Sequence, residues 1–206
     1  AGHEMALHGY AHELNALLSE DEERQILLRS MKLIEDLTGA PPHGYRAPSG
    51  DVTEQTLQLL IEHGLTYDSS LMGHDYQPYK VRLGSTFPAD QPAQWGTETG
   101  LVELPWSWTL DDYVYLEFVT FRRMLMPGLK SPVEMFENFA GDVEWMVRDV
   151  TAGVVTPVFH PQVIGRGHRL LALESWVDRV ARLGVTFSRM DHIAAAVAEG
   201  VAFGVE

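Results

Sequence analysis

The sequence contains no cysteine. That excludes disulfide staples, thiol nucleophiles and thiolate zinc sites, and it favours a reducing, cytoplasmic home. Basic residues are scarce beside acidic ones, 15 Lys and Arg against 29 Asp and Glu, for a formal net charge of -14. A chain this acidic lacks the basic face that displaces counterions from phosphate, so no nucleic-acid partner is expected. No apolar run approaches the ~20 residues that a membrane span needs, so no membrane partner is expected either. Residues 1–12 hold no basic segment leading into an apolar one, and no export signal is visible there. Internal repeats and low-complexity segments are also missing. What is present is a chain of 206 residues, 45% hydrophobic and 21% charged. That balance suits one globular domain, expected to span residues 1–206.

The first chemical signal is HGYAH, which puts His8 and His12 at positions i and i+4 with Glu13 directly behind. On one helical turn those positions share a face, and neutral imidazole is a common ligand for zinc and its neighbours. Standing alone, such a pair is usually surface decoration, so the rest of the chain has to decide.

Gly2 has the character of a helix-terminating glycine, followed by a short half-buried strand ending near His8. A domain that opens on a helix stop reads as one whose preceding strand and helix lie elsewhere. Ser19 and Glu22 form a capping box, Leu27, Met31 and Ile34 an apolar stripe, and Gly39 the stop of a first helix. A short strand around His43 to Arg46 opens into a loop. A second helix runs from Thr53 as N-cap to Gly64, with Leu57, Leu60 and Ile61 inward. LTYDSS then reads as a strand ending in polar residues.

Residues 71–100 are rich in Gly, Pro, Tyr and Gln without periodicity, and read as a long functional loop. LVELPWSW resumes as a strand and LDDYVYLEF as an aromatic connection. Ser131 caps the next helix, with Pro132 at its first position, Glu134 completing a box, and Met135, Phe139, Val143, Met146 and Val150 as its stripe. Gly153 stops it. VVTPVF reads as a parallel strand buried on both faces and ending at His160. RLLALESWVDRVARLG is a helix, VTFS a strand, and Asp191 the cap of a last helix.

Strands alternating with amphipathic helices argue a parallel sheet with helices outside it. In such folds the polar residues at the C-terminal ends of strands form the site. Here those ends carry His8, Arg46, Asp68, Trp106 and His160, which points to an enzyme.

HGYAH, then GYRAPSG, then FHP after a late buried run, resembles the polysaccharide deacetylase (NodB-like) superfamily. YDSSLMGHDYQPY, LPWSWTLDD and HPQVIGRGHRL resemble the branch with intracellular peptidoglycan-deacetylase-like, allantoinase-like and cyclic-imide hydrolases. The resemblance implies an α/β fold, a distorted, incomplete (β/α) barrel whose first strand/helix unit is missing from this chain. It implies a metal-dependent hydrolase of non-peptide carbon–nitrogen bonds, with an N-acetylated sugar or a small molecule as substrate. Alternatives are a hydrolase of a small cyclic imide or ureide in the same fold, and a non-catalytic barrel subunit. His8 and His12 become ligands of a divalent metal, usually zinc, whose third ligand is an aspartate not in this chain. Gly9 stands where relatives often have Ser or Thr, which should not affect ligation. Arg46 would orient the catalytic base or the substrate, Pro48 would shape that loop, and His160 would be the general acid. The same resemblance suggests a homo-oligomer.

Other residues carry two readings each. Asp68 either orients a catalytic group or caps the following turn through Ser69 and Ser70. Trp106, Trp108, Asp111 and Asp112 can line a substrate pocket, although tryptophan serves equally as core. His74, Asp75 and Tyr79 form a candidate lid. Arg166 and Arg169 can grip a carboxylate or close a subunit interface. The remaining histidines, His3, His43, His63, His168 and His192, are read as surface or structural.

Overall fold

The capping box at Ser19 forms as the sequence predicts. In α1 (Glu20–Thr38) the Ser19 hydroxyl accepts the Glu22 N–H while the Glu22 carboxylate accepts the Ser19 N–H. Four acidic residues fill its first turn, where the helix dipole favours them, and Gly39 ends it at φ 79°. The structure, a computed structural model, describes residues 2–121, 124–127 and 129–200. They fall into two compact units, the first holding residues 2–74, 78–105 and 188–200 and the second residues 75–77, 106–121, 124–127 and 129–187.

In the first unit α1 is followed by β1 (Gly44–Tyr45), α2 (Glu54–Glu62), β2 (Tyr67–Asp68), β3 (Tyr79–Leu83) and β4 (Thr97–Glu103). Thr53 caps α2 by accepting the Thr56 N–H. Buried Glu23 ties the two helices together, accepting from Gln55 Nε2 at 2.6 Å and Thr56 Oγ1 at 2.5 Å. Leu27, Leu57, Leu59 and Leu60 fill the core beside them, with Met31 and Ile34 packed against it. Ile61, expected inward, is 37% exposed. It lies one residue, about 100° of helix, beyond the buried Leu60, and Leu59 takes the inward place instead.

The sheet runs β1-β2-β4-β3, with β1/β2 and β2/β4 parallel and β3/β4 antiparallel. It is therefore open and mixed, an α/β arrangement as expected, with one antiparallel pair added to the expected parallel sheet. The difference lies in residues 71–100, which hold a hairpin rather than an unstructured loop. A register shift between Lys80 and Arg82 interrupts the alternation that would have announced β3. Its edge carries charge, Arg82 pairing with Glu98 at 3.0 Å, as exposed edge strands commonly do.

The second unit contains α3 (Asp112–Leu116), β5 (Phe118–Phe121), β6 (Met124–Pro127), α4 (Pro132–Asp149), α5 (Pro161–Ile164) and α6 (Gly167–Ala181). One face of α4 buries Met135, Phe136, Phe139, Ala140 and Val143, while Met146 and Val150 stay half-buried. Phe136, Phe139, Phe159 and Trp176 form a mutual ring cluster. Ser131 makes no side-chain cap bond, so the box expected there is absent. VVTPVF forms no strand; it makes an isolated bridge, Val158 to Asp111, and its Val154 N–H donates to the Tyr76 carbonyl. Pro157 has no N–H to give a ladder. VTFS likewise forms no strand. Buried Arg169 donates to the carbonyls of Val163 and Leu116 and to Glu117, which makes it a structural cross-link.

The chain re-enters the first unit with α7 (Met190–Ala198), whose N-cap is Arg189. Asp191, expected to cap it, sits in the first turn and pairs with Arg189. Ala194 packs on Tyr67, Val102 and Leu104. Among the described residues no helix is long and apolar enough to cross a membrane.

Candidate functional site

Sheet register brings the first group of candidates together. Leu7 bridges Tyr45, Tyr45 pairs with Asp68 and Asp68 with Glu103, all in parallel. The next residues along those segments are His8, Arg46, Ser69 and Leu104. A parallel ladder thus gathers at one edge what the sequence spreads over nearly half its length.

His8 Nδ1 lies 2.8 Å from the Arg46 carbonyl oxygen. A carbonyl can only accept, so Nδ1 carries the proton and the ring lone pair resides on Nε2. A backbone carbonyl behind the ring is the kind of outer support that metal-ligating histidines use. His12 stands edge-on to His8, the ring centroids 5.1 Å apart. It arrives there through a loop and not on the helical turn that the spacing suggested. Gly9 at φ 66° and His12 at φ 65° are both left-handed, and such residues do not sit inside a right-handed helix. Glu13 fixes the loop by accepting the N–H groups of Tyr10 at 2.9 Å and Ala11 at 3.0 Å. Burial pushes its carboxyl up, but those N–H groups and neighbouring His12 outweigh it and hold Glu13 below the usual carboxylate range. A Cβ on Gly9 would meet Glu13 Oε2 at 2.9 Å and Pro48 Cγ at 3.0 Å, so a larger residue there needs this loop to shift.

The Arg46 guanidinium is anchored on the turn after β2. Its Nε donates to the Ser69 carbonyl at 2.8 Å and its Nη2 to Ser69 Oγ at 2.6 Å, while Ser69 Oγ donates to the Leu104 carbonyl. Asp68 is fully buried and does cap that turn, accepting Ser70 Oγ–H at 2.7 Å and Ser70 N–H at 3.2 Å. Ser70 Oγ in turn accepts the Ala47 N–H. Burial raises the Asp68 carboxyl above its ordinary value, against the pull of its hydrogen bonds.

The second unit holds the other group. His160 Nδ1 lies 2.7 Å from Asp112 Oδ1, and the His160 N–H donates to both Asp112 oxygens. Asp112 is wholly buried and its own N–H donates to Val158. The backbone N–H and Nδ1 of His160 are thus both held by one carboxylate, with Tyr113 edge-on at 5.3 Å. Asp111 Oδ1 caps α3 through the Tyr113 N–H and stands 3.9 Å from His160 Nδ1. Asp111, Asp112 and His160 place ligand-type atoms within 4.8 Å of one another. Asp112 already accepts from both the backbone N–H and the ring of His160, so the cluster is first of all a hydrogen-bonded His–Asp pair.

Of the remaining candidates, Trp106 is buried and edge-on to Trp108 at 4.6 Å. Tyr79 lies in β3, half-buried, its hydroxyl accepting the Gly73 N–H at 3.2 Å. Burial, then the charges of Glu103 and Asp68, raise that phenol. Asp75 is exposed, and Arg166 is exposed at the start of α6. Sequence reasoning named Ser69 only as a turn residue after Asp68, left out Glu103 and did not pair Asp112 with His160. The adjacent acids in LDD were visible; a Glu inside an apolar strand, LVEL, was the available hint for Glu103.

Comparison with known proteins adds an independent line. The family profile described as polysaccharide deacetylase matches residues 1–67. The chain is 35% identical over 190 residues to the peptidoglycan deacetylase of Helicobacter pylori, covering 87% of this chain and 64% of that protein. A crystal structure from Mycobacterium smegmatis, provisionally titled a polysaccharide deacetylase, superposes with a TM-score of 0.82 at 34% identity, over 100% of this chain and 66% of that one. An allantoinase shares the fold at a TM-score of 0.72 and 24% identity, over 94% of this chain and 58% of its own. The chain thus spans just under two thirds of the length of the first two relatives.

Proposed function

This chain belongs to the polysaccharide deacetylase family, and on that premise we propose that it is a metal-dependent hydrolase that removes acetyl groups from an amino-sugar polymer or its fragments. The observation that carries the reading is the His8–His12 pair, with His8 pinned through Nδ1 to the Arg46 carbonyl so that Nε2 bears the lone pair. Two such imidazoles fit a divalent cation as part of its ligand set, zinc being the expected ion. When bound, the cation supplies Lewis acidity towards the amide carbonyl and acidifies water.

The protein's own groups do the rest. Arg46, its guanidinium held by Ser69, offers a positive charge at this edge for an acetylated or anionic substrate group or for a catalytic carboxylate. His160 is assigned the transfer of a proton to the leaving nitrogen. Asp112 holds its Nδ1–H, so Nε2 is the atom that carries and releases that proton. The relative from Helicobacter pylori, named for its action on peptidoglycan, supports a cell-wall amino sugar over a cyclic ureide.

The test measures metal content by elemental analysis and acetate release from N-acetylglucosamine oligosaccharides and peptidoglycan fragments. The expectation is one divalent ion per chain, lost together with activity in His12→Ala. Full metal loading and undiminished activity in His12→Ala would refute the assignment.

A further inference from the structure

Asp68 and Glu103 are direct neighbours on adjacent parallel strands, each with no exposed surface. Side chains in register project from the same face, and two like charges there are destabilising. Two carboxyl groups buried side by side cannot both ionise without a large cost, so one of them keeps a proton. The bonding pattern says which one. Both Asp68 oxygens accept, Oδ1 from the Ser70 hydroxyl and Oδ2 from the Ser70 N–H. Glu103 Oε1 accepts the Leu71 N–H at 2.9 Å, whereas Oε2 is buried with no donor directed at it. An acceptor so placed is costly, and a hydroxyl at the same position is not.

We propose that Glu103 is protonated and donates from Oε2 to the Asp68 carboxylate, and that this acid–carboxylate pair positions Arg46 for the reaction proposed above. The route is short. Asp68 holds Ser70 and Glu103 holds Leu71, which fixes the turn after β2. That turn carries both Ser69 contacts to the Arg46 guanidinium, and Ser70 Oγ also receives the Ala47 N–H. Glu103 is therefore a positioning residue, acting through Ser69 and Ser70. Burial first, then the charge of Asp68, push its carboxyl well above the ordinary range. The titratable groups facing the pair are Tyr45 on β1 and Tyr79 on β3, whose phenols burial raises. On the helices packed against β4, Glu62 is paired with Arg24, Glu54 accepts the Gly84 N–H, and Asp191 is paired with Arg189.

The sign of the pH effect follows. A carboxyl whose folded pKa is raised contributes stability that is fully present below its unfolded pKa and is lost as pH rises through the folded value. Above that point both groups are charged, and the turn that holds Arg46 loosens. Glu103→Gln keeps a donor for Asp68 and an acceptor for Leu71 but cannot titrate. Glu103→Ala keeps neither.

The experiment combines carbon-13 carboxyl titration of the intact chain, hydrogen exchange at Leu71 and Ala47, and pH profiles of kcat/KM on an N-acetylglucosamine oligosaccharide. One carboxyl resonance, absent in Glu103→Gln, is expected to remain protonated at pH 7. Glu103→Ala is expected to lose activity by about 100-fold, the order of a small misplacement of a working group, with metal content retained. Glu103→Gln should recover most of that loss and shed the alkaline limb of the profile. A Glu103 resonance that titrates as an ordinary carboxylate, or a Gln variant as impaired as the Ala variant, overturns the proposal. Should the intact protein show no deacetylation, the functional reading fails by itself, and the titration and exchange data still decide the pair. Should Glu103→Ala not fold, the titration and the Gln variant decide it.

Discussion

Substituting Gly44 by alanine is the sharpest test of how the sheet is built. A Cβ at this position would lie 1.8, 2.2 and 2.3 Å from Cζ, Cε1 and Cε2 of Tyr67, its partner across the β1–β2 ladder. Ordinary contacts between such atoms are ~3.5–4.0 Å, so something must move by more than an ångström. The ring cannot give cheaply. It is 1% exposed, packs with Val102, Leu104 and Ala194, and donates its hydroxyl to Glu4 Oε1 at 2.8 Å. Expelling it breaks that bond and opens the core around α7, while parting the strands breaks the ladder that aligns Arg46 with Ser69. Overpacking typically costs about 1–3 kcal/mol, and leaving a buried polar group unmade adds ~1–3 kcal/mol. A loss of about 3–4 kcal/mol in urea unfolding is expected on this sum. Tyr67→Ala alone should cost about 3–5 kcal/mol. In the double variant the Gly44→Ala increment should nearly vanish, because its obstacle is gone. A change under about 0.5 kcal/mol for Gly44→Ala, the range of an ordinary surface substitution, would refute the close approach. So would strict additivity of the two changes.

Two further outcomes are expected. Asp112→Asn leaves His160 one acceptor oxygen but removes the negative charge beside Nδ1–H and turns an amide N–H₂ towards the His160 backbone N–H, so kcat should fall by about 10²–10⁴-fold, the ordinary worth of general acid catalysis, with metal content unchanged. A kcat within twofold of the parent (roughly the noise of the assay against that range) would remove His160 from the proton-transfer role. Phe139→Ala removes a fully buried ring that touches Phe136, Tyr115, Phe159 and Trp176; denaturant unfolding should show a loss of about 3–5 kcal/mol, and a loss below about 1 kcal/mol would mean the cluster is loosely packed.

Helices were legible because their signals are local. The Ser19–Glu22 box, the Thr53 cap and the Leu27, Leu57 and Phe139 positions depend on neighbours within a turn or two. The Ser131 box failed since a serine followed three residues later by a glutamate permits the bond without requiring it. Strands were less legible. β1 and β2 have two residues each, too few to display an alternation, and the bulge at Lys80 and Arg82 concealed β3. The histidine spacing predicted nearness correctly and the conformation wrongly, because i and i+4 also meet across a loop with two left-handed residues. Strand-end logic singled out His8, Arg46, Asp68, Trp106 and His160 as candidates, although the segment before His160 forms no strand. It missed Glu103 and saw Ser69 only as a turn residue, because their parts are set by register across segments 35 residues apart.

The brevity of β1 and β2 has a consequence for anyone who would redesign this protein. A long strand spreads its alignment over many rungs and forgives a change at one of them. Here each strand offers two rungs, so residues 44–47 and 67–71 set the register and also hold the working side chains in place. Specificity and scaffold are written in the same letters at this edge. The hairpin tip between β3 and β4, residues 84–96, lies beyond the Leu83–Thr97 pair, at the other end of β4 from Glu103, so its length can change without altering the pairings that align the candidate row.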